Sequence, residues 1–426
     1  MSHPPRTGRP GPAPTAAPHR PAAPRHPPTG RLTALAGIVL AALTLRAAVT
    51  AITPLLGTVG AALGFGPLAA GTLGMLPTAM FALFGLATPP LVARFGLERV
   101  ALGAMLVTGA GTLARAAASS TAALLLLSAV PLAAMGVGNV VLPPLVKRHF
   151  PDRVGALSAV YIACVQLGTT IPPLTAVPVA QAHGWRVSVG MWALLAFAAA
   201  VPWLLPSVRR VPPAGGGAVS GGSEGAFTAP VRRSPLAWSL AVMIGTTSLS
   251  TYALFTWLPR ILADAGASAG FGGAMVALFS AIGIVSALVA PVLCTRLRNP
   301  FPVVVVCVLC YLAGYTGLYL APATVPVLWV FLVGVGPTTF AMSLTLIGVR
   351  TRTARGAARL SGFVQGVGYT LACLGPLLFG LLHDATGGWG APFGLLLAAL
   401  ALMTAGAFRA CRPGTLEDDL ARSGKG

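Results

Sequence analysis

The sequence predicts an all-α integral membrane protein with twelve transmembrane helices in two six-helix halves. Three observations carry this: apolar runs of membrane-spanning length, basic residues confined to alternate connectors, and a weak internal repeat. Of the 426 residues, 55% are hydrophobic and only 8% charged, with mean hydropathy +0.82. A soluble domain carries roughly 25% charged residues. About 20 apolar residues span the ~30 Å hydrocarbon layer at ~1.5 Å rise per residue. The runs 32–56, 70–92, 99–118, 122–145, 154–181, 187–206, 236–259, 271–293, 301–321, 325–348, 359–382 and 389–409 all reach that length.

Composition then divides the chain. Residues 1–30 are rich in Pro, Ala and Arg with no acidic residue, which predicts a disordered tail rather than a signal peptide. Residues 31–206 form the first half and 236–410 the second. Between them, 207–235 holds Pro212-Pro213, Gly215-Gly216-Gly217 and Gly221-Gly222, the composition of a flexible linker. Residues 411–426 form a second tail.

Placing the N-terminus inside puts 24 of the 28 Lys and Arg residues on one side, leaving Arg46, Arg115, Arg186 and Arg260. The positive-inside rule therefore predicts cytoplasmic termini in the cell inner (plasma) membrane. This bias also accounts for the formal charge of +20 without nucleic acid, because the basic residues sit in short connectors rather than on one face. Six cysteines, mostly within apolar runs, do not form a secreted disulfide framework. Cys307 and Cys310 make a CxxC with no second pair or His nearby, so no metal, cofactor or catalytic group is expected.

The halves repeat at low similarity. Leu157-Ser158 and Leu360-Ser361 are 203 positions apart, as are Pro173-Leu174 and Pro376-Leu377, and Val146-Lys147 and Val349-Arg350. Parallel repeats of six helices place a solute site at their interface.

Arg46 is the central candidate. It lies ~21 Å along the first span, past the midplane, and reads as the only charge set well inside an apolar run. A charge there costs at least ~2.5–3.5 kcal/mol. The eight acidic residues all fall between or beyond the runs, so the ligand is the candidate counter-ion. Thr50 and Thr53 follow at i+4 and i+7 on the same face. A guanidinium fork flanked by hydroxyls suits a small planar anion or polarised heterocycle. Asn139, Tyr161, Gln166 and Gln365 are polar positions in the fourth, fifth and eleventh runs, each serving either solute contact or helix packing. In the seventh run, the repeat mate of the first, Ser248, Thr251, Tyr252 and Phe255 form a helical stripe. It offers hydroxyls and rings where the first run offers Arg46.

Several motifs resemble a known family. Arg94-Phe95-Gly96 after the second run is similar to a worn loop signature of the major facilitator superfamily, with Ala93 where an Asp is usual. The 8–9 loop keeps Arg296, with Thr295 at the Asp position. Leu45-Arg46-Ala47-Ala48 resembles the Asn-Leu-Arg-Pro-Ala stretch of its cyanate and 2-nitroimidazole transporter family, with Thr44 and Ala47 in place of Asn and Pro. Gly138-Asn139-Val140-Val141-Leu142-Pro143, running into Val146-Lys147-Arg148-His149-Phe150-Pro151, resembles the same family. So does Phe363-Val364-Gln365-Gly366-Val367-Gly368-Tyr369 in the eleventh run.

The resemblance covers about residues 32–409. It implies the major facilitator fold, a monomer, and alternating-access transport of a small polar or anionic solute, cyanate-like or nitroimidazole-like. It also points to Arg94, Lys147, Arg148, Arg153 and Arg296 as a cytoplasmic gate, against a plain topology-setting role. The alternative is a multidrug exporter of the same superfamily. An enzyme is not expected, for want of a membrane His, Asp, Glu or paired-Cys cluster. Protons stay open as a coupling ion, with the anion or a water as carrier.

Overall fold

The computed structural model describes residues 28–205 and 231–423. All of the predicted N-terminal tail but its last three residues, and the linker up to residue 230, lie outside the described residues.

Among the described residues every regular element is helical. The first half holds α1 (Pro28–Thr50, continued after a short 3-10 turn by Leu56–Leu63), α2 (Pro67–Phe95), α3 (Leu97–Ala116), α4 (Thr121–His149), α5 (Val154–His183) and α6 (Trp185–Gly190 and Trp192–Leu204). The second holds α7 (Pro235–Asp264), α8 (Ala269–Arg296), α9 (Phe301–Leu320), α10 (Pro326–Val335 and Thr338–Val349), α11 (Ala354–Thr386) and α12 (Gly390–Ala410), followed by a short α13 (Leu416–Ser423). Local chemistry sets the boundaries. Ser120, Ser234, Ser268 and Thr353 cap α4, α7, α8 and α11, each side chain accepting from the backbone N–H three residues on. Gly96 and Gly184 turn the chain with φ of 82° and 84°.

Eleven helices among the described residues are long and apolar enough to cross a membrane. The twelfth predicted span, α7, runs for 30 residues, but Thr246, Thr247, Ser248, Ser250, Thr251 and Tyr252 dilute its apolarity. Thr246, Thr247 and Thr251 return their hydroxyls to the carbonyl four residues back, so they sit at membrane depth without orphaned donors.

Two spans are broken by proline. Pro54 has no N–H for Thr50, and α1 ends there. Pro337 likewise divides α10 after Val335. The break in α1 frees carbonyls just beyond Arg46: Thr53 Oγ1 donates to Val49 O, and Arg115 Nη1 of α3 donates to Ala48 O at 2.8 Å.

The first half holds two apolar clusters, and the large cluster of the second half reaches across to Ala70 of α2. The halves meet along α2 against α11 and α5 against α8. Glycines allow the close approach: a side chain at Gly71 would meet Pro376 O at 2.8 Å. Three hydrogen bonds among the described residues join the halves, Arg46 to Tyr252, Thr78 to Cys373 Sγ at 3.3 Å, and Gln166 to Ser280 O at 3.4 Å. All lie near mid-depth or on the side away from the chain termini. Toward the termini, Gly362 and Gly366 of α11 have nothing within 4 Å of a would-be Cβ, whereas at the far end one at Gly273 of α8 would strike Pro173 O of α5 in the other half. The halves are thus sealed at the far end.

At the terminal end the predicted gate residues divide. Arg94 and Lys147 are exposed, and Arg94 stacks on its neighbour Phe95 at 5.3 Å. Arg296 is exposed. Arg148 and His149 pair with the buried Glu98 of the same half at 3.1 and 3.3 Å. Arg153 pairs with the adjacent Asp152 at 3.8 Å, and Asp152 also holds Arg31. The segment after α12 folds back onto the second half. In α13, Glu417 accepts from the backbone N–H of Arg352 and Thr353, and Asp419 from Ser234 and Leu236 N, so it caps the starts of α11 and α7. Leu416 and Leu420 are buried there. Burial pushes the Cys411 thiol up to about 12, and all six cysteines are free.

Candidate functional site

Arg46 and Tyr252 are 206 positions apart, and the fold brings them together: Nη1 donates to the phenol oxygen at 2.8 Å. The guanidinium lies over the Phe81 ring of α2, 5.1 Å from its centroid. Tyr369 of α11 sits within electrostatic reach of both Arg46 and Tyr252. Helices α1, α2, α7 and α11 therefore each supply one group, two from either half. Gly136 of α4 makes this possible, since a Cβ there would meet Met80 O and the Phe81 Cα at 3.0 and 3.2 Å.

Arg46 is half-buried whereas its neighbours Leu45, Ala47 and Ala48 are buried. None of the described ion pairs neutralises it. Beyond it, toward the sealed end, Val49, Thr53, Pro77, Tyr252 and Thr256 enclose a cavity of about 20 Å³, room for about one water. A fixed planar donor set, a ring face and two phenols, without a carboxylate, can hold a small planar anion or a polar heterocycle.

The other predicted residues lie in different settings. Thr50 is buried and spends its hydroxyl on Arg46 O at 3.3 Å. Gln166 bridges from α5 to α8, within the seal, by its bond to Ser280 O. Gln365 donates to Ser361 Oγ at 2.7 Å on its own helix and stays half-buried. Asn139 and Tyr161 are half-buried, Tyr161 against the first-half core. Phe81 carries no sequence signal, being one ring in an apolar run. Tyr369 has one, its i+4 spacing from Gln365.

One expectation is corrected. Arg46 is not the only charge deep in the bundle: Arg115, near the end of its run, is 1% exposed, because the α1 break gives its guanidinium a carbonyl to bind.

A two-half helical bundle with a polar site between its halves defines a membrane solute carrier. Residues 38–378 match the Major Facilitator Superfamily, and the chain belongs to that family of transporters. It is 33% identical over 379 residues to a 2-nitroimidazole transporter of Escherichia coli (strain K12), covering 88% of this chain and 94% of that one. It is 29% identical over 361 residues to the cyanate transport protein CynX of the same organism, covering 83% and 90%. The fold is similar to the crystal structure of a bacterial homologue of the human lysosomal transporter Spinster, with TM-score 0.72, 16% identity, and 92% and 99% of the two chains covered. The chain is a multi-pass membrane transporter of small solutes, not an enzyme.

Proposed function

We propose that this transporter moves a small planar anion or polar heterocycle, cyanate-like or nitroimidazole-like, by alternating access, binding it at Arg46 between the halves. The observation that carries the reading is the membrane-depth guanidinium of Arg46, hydrogen-bonded across the halves to Tyr252 with no carboxylate beside it. Water cannot hydrate such a charge cheaply, so an arriving anion gains more here than in solution. Closing the halves on the terminal side while parting the α2–α11 and α5–α8 seal would expose Arg46 to the other face. With the basic connectors inside, the end opposite the seal faces the cytoplasm of the inner membrane. The carrier works as a monomer, and any coupled proton rides on the solute or a water. Arg94, Lys147, Arg148, Arg153 and Arg296 then rim the cytoplasmic mouth.

The test is uptake of radiolabelled cyanate and 2-nitroimidazole into proteoliposomes. Saturable uptake of either, lost in Arg46→Ala, supports the reading. Uptake in Arg46→Ala at the wild-type rate sinks it, and counterflow of bulky lipophilic cations alone would favour the multidrug exporter.

A further inference from the structure

The guanidinium of Arg115 is more deeply buried than that of Arg46. It is 1% exposed in α3, and its Nη1 takes Ala48 O at 2.8 Å. Nε and Nη2 have no hydrogen-bond partner among the described residues, and none of the described ion pairs includes Arg115. Its acceptor is one of the last carbonyls of the first segment of α1, where the partial negative charge of the helix end gathers. Ala48 is two residues beyond Arg46. Under the 203-residue repeat Arg115 corresponds to Leu318 of α9, which is buried and uncharged, so only the first half carries a charge at this place.

We propose that Arg115 is a positioning and specificity residue for the Arg46 site. It holds the end of α1 so that Arg46 meets Phe81 and Tyr252, and it adds a second buried positive charge that favours anions over neutral solutes. A charge set behind the helix, in low dielectric and out of reach of the solute, acts through its field alone. The inference rests on the function proposed above.

Benzoate and benzamide, alike in shape and different in charge, are the probes, with cyanate as a third. Their binding to detergent-purified full-length protein is measured by competition, alongside thermal unfolding. Arg115→Met is expected to weaken benzoate and cyanate about tenfold while benzamide shifts less than about twofold. Arg115→Lys, which keeps the charge, is expected to restore the anion preference. If Arg115→Met does not yield folded protein, Arg115→Gln retains a donor for Ala48 and supports the same comparison. Equal weakening of all three probes, or none, in a folded charge-loss variant overturns the inference. Arg46→Met then shows whether the underlying site still stands, since its own loss of benzoate binding leaves that reading intact. Wild-type protein that binds none of the probes removes both.

Discussion

Arg46→Met separates solute binding from structure, because its two effects have different sizes. The substitution keeps most of the side-chain volume and removes the charge. In the empty protein, Arg46 costs at least ~2.5–3.5 kcal/mol for its place in the membrane. Against this stand one charged hydrogen bond to Tyr252 at 2.8 Å, about 1.5–3 kcal/mol, and the Phe81 ring at 5.1 Å, about 0.5–2 kcal/mol. These nearly cancel, so the melting temperature in detergent should move by no more than about 3 °C in either direction. In the bound state an anion would take two charge-assisted bonds from the fork. Losing them should cost about 3 kcal/mol, or about a hundredfold in Kd. Arg46→Lys keeps the charge and loses the fork, with an expected cost of about tenfold. Scintillation-proximity binding and thermal unfolding on the same samples read both quantities. A folded Arg46→Met protein with wild-type affinity refutes the reasoning. So does one that no longer folds, since Arg46 would then be holding the bundle together.

Three further outcomes follow from the same geometry. Phe81→Leu removes the ring under the guanidinium and should weaken a nitroimidazole several-fold while leaving linear cyanate nearly unchanged, since only the former can share a stacked face; competition binding checks this. Gly71→Leu places a side chain where Pro376 O now lies and should prevent the far-end seal, cutting uptake more than about tenfold. It should also speed maleimide labelling of Cys373, which Thr78 now contacts across that seam, as read by mass spectrometry. Glu417→Gln weakens the cap that α13 supplies to α11, and thermal unfolding should fall by about 2 °C, roughly 1 kcal/mol, with affinity for the solute unchanged.

The spans were legible in the sequence because a bilayer imposes length and apolarity on each helix independently of its neighbours. The connector charges predicted an orientation for the same local reason. Arg46 stood out by its cost alone, and the seventh-run stripe already contained Tyr252. That these two residues touch was decided by tertiary structure, since 206 positions of chain separate them and only the packing of the halves sets their distance. Thr50 shows the opposite case: its helical face was readable, yet its hydroxyl is taken by its own helix. Phe81 and Tyr369 joined the candidate site because Gly136 and the α7–α11 contact bring their helices near, and no periodicity in one helix reports the position of another. Arg115 marks the boundary most clearly. Its charge and the proline that ends the first segment of α1 are both plain in the sequence, but that the one satisfies the carbonyl exposed by the other depends on two helices meeting at a single height. The sequence by itself determined which segments cross the membrane and which charges they must accommodate. The tertiary structure decided which groups face those charges, because hydrogen bonds act over about 3 Å and only the packed bundle fixes positions that closely.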